Sequence, residues 1–524
     1  MNLKIYSIDA LLAPFRKKKI VRLILVCCAV AGLASVGESA GQMSAVEARQ
    51  LVKEAKKLTK RGDLPEAEKI LRGVIGNYPN QSVAKLALAG NLLKQKRLLE
   101  SYNLSLAIAR AEPKNSYAYA ILGATLLNYG RFADARPVLI NAVNLNDKEA
   151  LGWASLGLLD FYENHITQGL NNLRAAVYLE PNEPDYVYSR AQVAARAELY
   201  KESADAYREF LRVSPRTDVD RRERIKGLID FLNFLGSRER LYERDGANIT
   251  KVSFDLKNDR PVIDVRLDRT GEPLKFVLDT GAGISVLSDK TAKRLSIKPV
   301  ARGGSARGIG GDGKFEIVYG FLKSIYIGDV KIRNVPVYIR EFHTGNEQVD
   351  GYIGLSLISK FLTTIDYGDK TFELVNKDVD EKRTPADEKL FFPLRLTSSG
   401  FLSGEVELEG VPVPLNFIVD TGASVSVISH EIAKTEQINR FVKNEKLRVI
   451  GAAGITDAVP SFLLPRVTFG THSRERIMAI ALDLNLINET AGFEQAGILG
   501  GNFLKNYRLT FDFEQSKVIF VPIK

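Results

Sequence analysis

Residues 276–288 read FVLDTGAGISVLS, and residues 417–429 read FIVDTGASVSVIS. Each stretch places Asp-Thr-Gly directly after one apolar run and before Ala, a small residue and a second apolar run. A single Asp-Thr-Gly recurs by chance in long chains, whereas two copies in one frame indicate a shared role. We therefore interpret Asp279 and Asp420 as the two halves of one carboxylate pair, the dyad.

The two copies stay in register well beyond this tripeptide. An Ile-Gly pair stands 30 and 31 residues after each Asp, at 309–310 and at 450–451. An apolar-apolar-Gly triplet follows at 352–354 in the first copy and at 498–500 in the second. From about residue 251 onward, apolar and polar residues alternate with period two, which predicts short strands. The chain therefore contains an internal duplication of an all-β unit.

This order of Asp-Thr-Gly, glycine-rich hairpin, apolar-Gly element and strand resembles one lobe of a retropepsin-like aspartic protease. Two lobes in one chain resemble a fused version of the retroviral homodimer. The resemblance covers lobe 1, residues 251–377, and lobe 2, residues 395–524, joined by a charged linker at 378–394. It implies that each lobe contributes one Asp to a shared active site at the interface between the lobes.

The resemblance also implies roles for the residues around the dyad. Thr280 and Thr421 would each form a cross-link to the opposite lobe. Gly281 and Gly422 would allow the backbone to turn tightly under the carboxylates, since glycine tolerates conformations that other residues resist. The glycine-rich hairpins would close over the substrate as flaps, with these residues at or near their tips: Ile309, Gly310, Gly311, Ile450 and Gly451.

The chemistry of such a pair requires neither metal nor cofactor. Two carboxylates held about 3 Å apart cannot both ionise, so they share one proton. The ionised partner is a general base for water, and the protonated partner polarises the scissile carbonyl. Residues 308–313 fit the glycine pattern of a dinucleotide loop, but a strand follows instead of the required helix. The four histidines lack metal-ligand spacing: His165, His343, His430 and His472.

Residues 46–215 repeat with a period of 34. Four prolines and one aspartate keep this period: Pro79, Pro113, Asp147, Pro181 and Pro215. Two series of small residues keep it as well: Ala55, Ala89, Gly123, Gly157 and Ala191, then Ala67, Ser101, Ala135, Gly169 and Ser203. The pattern resembles tetratricopeptide repeats, which imply a helical superhelix with a concave face for a protein partner. Residues 216–250 are predicted to form a capping helix and a linker.

Residues 1–41 have the order of an export signal: a basic stretch, an apolar stretch at 23–34 and then small residues. We expect an exported protein, periplasmic or secreted, or one anchored to the membrane by residues 20–36. Cys27 and Cys28, the two cysteines of the chain, both lie in this segment, so its removal would exclude thiol catalysis and disulfides. The net charge of +10 is spread along the chain, which argues against a nucleic-acid partner.

Together these patterns predict a multi-domain protein, with an all-α superhelix followed by a two-lobed all-β aspartic protease module. The predicted function is that of an aspartic endopeptidase whose repeats recruit a protein partner or substrate. Two alternatives remain open. In the first, each Asp-Thr-Gly is only a tight turn between strands. In the second, the chain is a non-catalytic peptide-binding or scaffold protein with a protease-like fold.

Overall fold

The computed structural model describes residues 43–238, 240–268, 270–343, 348–379 and 390–523. The predicted export segment, residues 1–41, lies outside the described residues, and so do residues 380–389 of the predicted linker. No helix in the described part of the chain is both long enough and apolar enough to span a bilayer.

The first half of the described chain is a run of helices, and successive members of the first ten pack on each other. In chain order they are α1 (Ala45–Arg61), α2 (Leu64–Asn77), α3 (Ser82–Lys94), α4 (Leu98–Ala111), α5 (Ser116–Asn128), α6 (Phe132–Leu145), α7 (Ala150–Tyr162), α8 (Ile166–Leu179), α9 (Pro184–Arg196), α10 (Tyr200–Val213), α11 (Val219–Arg224) and α12 (Leu228–Gly236). Helices α1 to α10 form the repeating helix-turn-helix pairs that the period of 34 predicts, and this part is called the helical array below.

The two series of small residues explain how the helices of one pair approach each other. A Cβ on Gly157 would lie 2.9 Å from the carbonyl oxygen of Gly169, so neither position has room for a side chain. In two other pairs the second series supplies a serine instead. The hydroxyl of Ser101 donates to the carbonyl of Ala89 at 2.9 Å, and that of Ser203 donates to Ala191 at 2.7 Å. Small residues thus permit close contact, and the serines add a hydrogen bond to it.

Two sheets of matching topology follow the helical array. The strands of lobe 1 are β1 (Glu243–Gly246), β3 (Asp255–Lys257), β4 (Arg260–Val265), β5 (Leu274–Leu278), β6 (Val286–Ser288), β7 (Ala301–Arg307), β8 (Lys314–Ile327), β9 (Val330–Arg340) and β10 (Gly351–Ile353). Those of lobe 2 are β14 (Arg395–Leu396), β15 (Leu402–Leu408), β16 (Leu415–Val419), β17 (Ser426–Ser429), β18 (Val442–Gly451), β19 (Gly454–Phe469), β20 (His472–Leu482) and β21 (Gly497–Leu499).

The strand order shows the duplication directly. Lobe 1 runs β4-β5-β10-β6-β9-β8-β7, and lobe 2 runs β15-β16-β21-β17-β20-β19-β18. In both lobes the strand before the Asp pairs in parallel with the apolar-apolar-Gly strand. Short helices complete the lobes: α13 (Asp289–Arg294), α14 (Leu355–Ile358), α15 (His430–Ala433), α16 (Glu436–Asn439), α17 (Asn485–Ala491) and α18 (Gly501–Leu504).

A third sheet joins the lobes. Its strands are β2 (Ile249–Ser253), β11 (Leu362–Asp366), β12 (Thr371–Val375), β13 (Phe391–Pro393), β22 (Tyr507–Asp512) and β23 (Lys517–Pro522). The order β13-β23-β22-β11-β12-β2 pairs β11 of lobe 1 with β22 of lobe 2, and Thr364 there shares a hydroxyl hydrogen bond with Thr510 at 3.0 Å. The segment predicted as cap and linker, residues 216–250, holds α11 and α12 and ends in strands β1 and β2.

The helical array docks on lobe 2 through aromatic packing. The buried ring of Phe493 lies 4.9 Å from Phe132 and 5.1 Å from Tyr162, measured between ring centroids. Next to it, the backbone N–H of Glu494 donates to the carbonyl of Asn128 at 2.8 Å. Aromatic burial of this kind supplies large apolar area, and the hydrogen bond fixes its register. The helical array and lobe 2 therefore pack as one unit.

Substituting Phe493→Ala tests this docking. We expect a loss of about 3–5 kcal/mol in the free energy of unfolding, because the change removes a buried ring and leaves a cavity. A protease should then cleave this variant between the helical array and the lobes at a lower denaturant concentration than it needs for the unsubstituted protein. Tyr178→Ala is the matched control, since Tyr178 lies on the array with 86% of its surface exposed. Equal sensitivity of both variants would contradict the described interface.

Candidate active site

Each Asp of the dyad follows the end of a buried strand, β5 or β16, and its backbone is fixed by the strand behind it. The N–H of Asp279 donates to the carbonyl of Ile353 at 3.0 Å, and the N–H of Asp420 donates to that of Leu499 at 3.0 Å. The next residue of each supporting strand is the glycine of the duplicated triplet. Its N–H donates to a serine hydroxyl, Ser285 in lobe 1 and Ser426 in lobe 2, at 3.1 Å in both lobes.

Two threonines bind the active-site loops to each other. The hydroxyl of Thr280 donates to the carbonyl of Val419 at 2.7 Å, and that of Thr421 donates to Leu278 at 2.7 Å. Each hydroxyl also accepts the backbone N–H of the other threonine, at 3.0 and 3.1 Å. Both side chains are fully buried. The structure thus places Thr280 and Thr421 where the resemblance implies, and the four bonds join the lobes within one chain.

Gly281 and Gly422 lie beside the opposite carboxylate. A Cβ on Gly281 would lie 2.4 Å from Cγ of Asp420, and a Cβ on Gly422 would lie 2.6 Å from Cγ of Asp279. Neither glycine is among the residues with positive φ, so conformational freedom is not why glycine is needed. The explanation given for these glycines from the sequence is therefore wrong. Any side chain at either position would displace the carboxylate of the other lobe.

The hydrogen bonds around the two carboxylates are unequal. Oδ1 of Asp420 accepts the N–H of Gly422 at 2.7 Å and that of Ala423 at 3.1 Å. Oδ1 of Asp279 accepts the N–H of Gly281 at 2.9 Å. Backbone donors stabilise the ionised form of a carboxyl group. The additional bond from Ala423 therefore favours the negative charge on Asp420.

The pKa values of the pair follow this asymmetry. Burial raises the pKa of Asp279 well above its usual range, and the neighbouring charge of Asp420 raises it further. Burial also raises the pKa of Asp420, but the backbone of Gly422 and a hydrogen bond from Asp279 oppose that rise. The hydrogen bonds and the pKa directions together favour the shared proton on Asp279 and the negative charge on Asp420.

The two hairpins predicted as flaps meet at their tips. The first flap consists of β7, β8 and residues 308–313, and the second of β18, β19 and residues 452–453. The N–H of Ala453 donates to the carbonyl of Ile309 at 2.8 Å. A Cβ on Gly310 would lie 2.1 Å from the carbonyl oxygen of Gly454, and one on Gly451 would lie 2.2 Å from that of Ile309. The glycines at the tips allow this direct backbone contact.

The other predicted flap residues lie close by. A Cβ on Gly311 would lie 2.5 Å from the carbonyl oxygen of Ala453, so Gly311 belongs to the same contact. Ile450 precedes the second tip and has half of its surface exposed. The structure therefore brings the flap residues of both lobes together above the dyad.

The first flap is also held from outside by an arginine whose role the sequence did not indicate. Arg307 is buried, and its guanidinium contacts Asp220 of α11 and Glu489 of α17, each at 3.1 Å. Arg448 stands at the same offset in lobe 2, but its side chain is 63% exposed. The duplication shows the matched arginines, whereas the partners of Arg307 come from elements outside the repeat. These two ion pairs thus hold the first flap against α11 and against lobe 2.

The dyad lies in a large cavity of about 2150 Å³ that also opens onto the helical array. Its lining includes Asp279 and Asp420, both flap tips, and side chains of α3, α5 and α9 such as Lys94, Tyr117 and Tyr186. The repeats therefore face the cleft, which the sequence did not predict. Among the residues that the structure describes, no group of three or more His, Cys, Asp or Glu side chains could hold a metal ion.

Comparison with protein families agrees with this geometry. Residues 263–357 match the family model described as aspartyl protease, and residues 404–506 match the model for gag-polyprotein aspartyl proteases. The C-terminal half contains two aspartyl protease-like domains. Each match contains one Asp-Thr-Gly and one flap. A search of curated proteins finds no match.

The solved structures similar to this chain include two described as TPR proteins, TTC0263 and YrrB, and also PilF. TTC0263 of Thermus thermophilus is 19% identical over 33% of this chain and 95% of its own, with a TM-score of 0.30. PilF of Pseudomonas aeruginosa is 17% identical over 37% of this chain and 88% of its own, with a TM-score of 0.28. YrrB, a TPR protein with an unusual peptide-binding site, is 17% identical over 33% of this chain and 88% of its own, with a TM-score of 0.22.

TM-scores this low do not establish a fold. The helical-repeat architecture is supported instead by the helix pairs and by the small-residue contacts between them.

Substituting Thr421→Val tests the cross-links between the lobes. The change leaves the carbonyl of Leu278 and the N–H of Thr280 buried without their partner, so we expect a loss of about 2–5 kcal/mol in the free energy of unfolding. Chemical denaturation measures it. Thr468→Val, in a hydroxyl pair on the surface of lobe 2, is the control and should change stability by less than about 0.5 kcal/mol. A similar small effect of Thr421→Val would contradict the description.

The raised pKa of Asp279 predicts a pH-dependent gain in stability for Asp279→Asn. A group whose pKa is higher in the folded state than in the unfolded state contributes stability at low pH, and this contribution is lost as the pH rises. At about pH 7 the variant should therefore have a higher Tm than the unsubstituted protein, and the difference should shrink towards about pH 4. Thermal unfolding monitored by circular dichroism checks this. A lower Tm at neutral pH would show that the carboxyl of Asp279 is not destabilised by burial.

Proposed function

We propose that the protein is an aspartic endopeptidase that hydrolyses peptide bonds through a water molecule activated by Asp279 and Asp420. The supporting observation is the buried pair itself, which is held by crossed contacts between the lobes and has an additional backbone donor on Asp420. The matches of both lobes to aspartyl protease families support the same reaction class.

In the proposed reaction Asp420 is the general base and Asp279 the general acid. Asp420 takes a proton from a water molecule as its oxygen attacks the carbonyl carbon, and Asp279 gives its proton to the carbonyl oxygen. The resulting gem-diol collapses when Asp420 returns its proton to the amide nitrogen and the C–N bond breaks. Asp279 recovers a proton from the diol. The products are a carboxylic acid and an amine, and the dyad is again singly protonated.

We further propose that the helical array presents the substrate, or a protein that carries it, to this dyad. Side chains of α3, α5 and α9 line the same cavity as the two carboxylates, so a peptide bound along these helices reaches the dyad without leaving the cavity. Ion pairs lie on this surface, with Lys94 of α3 contacting Glu183 at 2.8 Å and Asp185 at 2.5 Å. A polar peptide backbone finds both donors and acceptors on this surface.

The proposed location of the protein is outside the cytoplasm, in the periplasm or secreted. The support is the basic, apolar and small-residue order of residues 1–41. Fractionation of expressing cells checks it, because a protein retained with the cytoplasmic fraction would contradict export.

The endopeptidase activity is tested with Asp279→Asn and Asp420→Asn, each incubated with a proteome-derived peptide library. Each variant should lose cleavage by at least about a thousandfold, since each removes one member of the acid-base pair. Asp264→Asn is the control, because this carboxylate lies on the surface of lobe 1 with 53% of its side chain exposed, and it should keep full activity.

If the unsubstituted protein binds library peptides without cutting them, the non-catalytic alternative replaces this proposal. Cleavage that survives both dyad substitutions would assign the reaction to another site.

A further inference from the structure

The two walls of the cleft beside the dyad differ in chemistry at matching positions of the two lobes. In lobe 1, Ser288 of β6 lies opposite Arg340 of β9. In lobe 2, the matching Ser429 of β17 lies opposite Leu482 of β20. Both serines stand nine residues after the Asp of their lobe. The duplication therefore places a cation on one side of the dyad where the other side has an aliphatic side chain.

Arg340 lies among aromatic rings beneath the second flap. Its guanidinium carbon is 5.2 Å from the ring centre of Phe315, 5.0 Å from that of Phe342 and 5.9 Å from that of Tyr352. Its Nη1 donates to the carbonyl of Ala452, at the second flap tip, at 2.7 Å. The rings hold the planar group in place, and the flap contact places it at the roof of the cleft.

The guanidinium has donors to spare. Arginine carries five N–H donors, and the described hydrogen bonds of Arg340 all use Nη1, to Ala452 and, at 3.4 Å, to the carbonyl of Glu341. No carboxylate of the described residues lies within ion-pair distance of it. The side chain lines the same cavity as the dyad.

The charge of Arg340 reaches the dyad. It lowers the pKa of Asp279 against the larger effect of burial, and burial in turn lowers the pKa of Arg340 itself. A partly desolvated cation with no carboxylate partner among the described residues gains most from an anionic ligand. The carboxylate geometry fits a guanidinium especially well, because two parallel N–H donors face its two oxygens.

The lobe 2 wall of the cleft has aliphatic side chains at the positions that match Arg340 and Tyr352. Leu482 and Ile498 are buried, and they pack in one apolar cluster with Leu484 and Ile487. Ile498 holds the position in β21 that Tyr352 holds in β10, since each pairs with the matching valine of the neighbouring strand. This wall favours an aliphatic side chain over a polar one.

We propose that Arg340 is a specificity-determining residue that binds a carboxylate of the substrate peptide on the lobe 1 side of the scissile bond, while an aliphatic side chain occupies the lobe 2 side. This inference rests on the proposed endopeptidase function. The carboxylate comes from one of two sources, an Asp or Glu side chain or the C-terminus of a peptide. The two sources differ in whether cleavage occurs inside a chain or near its end.

Paired peptides test the preference. Sites of cleavage are first mapped with a peptide library, and quenched fluorescent peptides are then made with Glu or Gln at each position around the mapped bond. At one position the unsubstituted protein should cleave the Glu peptide with a kcat/KM roughly 10- to 100-fold higher than the Gln peptide, the range of a charge-assisted hydrogen bond. Amidated and free-acid versions of peptides that end at this position distinguish a side chain from a C-terminus.

Three variants assign this preference to Arg340. Arg340→Leu copies the residue of lobe 2 and should bring the Glu/Gln ratio close to one. Arg340→Lys keeps the charge without the paired donors and should keep part of the ratio. Arg333→Leu is the control, because Arg333 lies on the same strand, contacts Glu243 and Asp245, and does not line the cavity. The ratio is internal to each variant, so a general loss of activity from a loosened flap does not change it.

The same peptides distinguish failure of this inference from failure of the proposed function. A protein that cleaves peptides but shows a Glu/Gln ratio near one, or keeps its ratio in Arg340→Leu, overturns the role of Arg340 and leaves the endopeptidase intact. If no peptide is cleaved, the endopeptidase proposal fails. The affinities of the Glu and Gln peptides, measured by fluorescence anisotropy, then decide on Arg340 alone, and equal affinities overturn its role.

Discussion

The crossed hydrogen bonds of Thr280 and Thr421 determine where both carboxylates of the dyad lie. Each threonine reaches into the opposite lobe, and each glycine after it leaves room for the opposite carboxylate. The carboxylates consequently come close enough to share one proton, and burial keeps that proton bound. Without these contacts the third sheet would still join the lobes, but the two carboxylates would not be held side by side.

Several other features depend on this central contact. The third sheet joins the lobes beneath it, and the flap tips join them above it through the bond between Ala453 and Ile309. Arg307 then connects the first flap to α11 and α17. The helical array packs on lobe 2 and faces the same cavity as the dyad. Side chains of α3, α5 and α9, the flap tips and the two carboxylates therefore line one cavity.

The features predictable from the sequence are those that the chain repeats. Two Asp-Thr-Gly strings, two glycine-rich hairpins and a period of 34 identify the lobes, the flaps and the helix pairs, because the same physical requirement recurs at a fixed spacing. Contacts made once leave no such pattern. Arg307 with Asp220, Phe493 with Phe132 and the position of Arg340 depend on packing between elements far apart in sequence. The sequence does not show the role of Gly281 for the same reason, since the group that needs its space belongs to the other lobe.

The stoichiometry of a transition-state analogue tests the central claim, that one chain forms one dyad. A peptide isostere with a hydroxyl in place of the scissile amide should bind through both carboxylates, and calorimetry gives the number bound per chain. The structure predicts one molecule per monomeric chain, with binding lost in both Asp279→Asn and Asp420→Asn. One molecule per two chains in a dimer, or binding that needs only one of the two aspartates, would contradict a dyad built from the two lobes of a single chain.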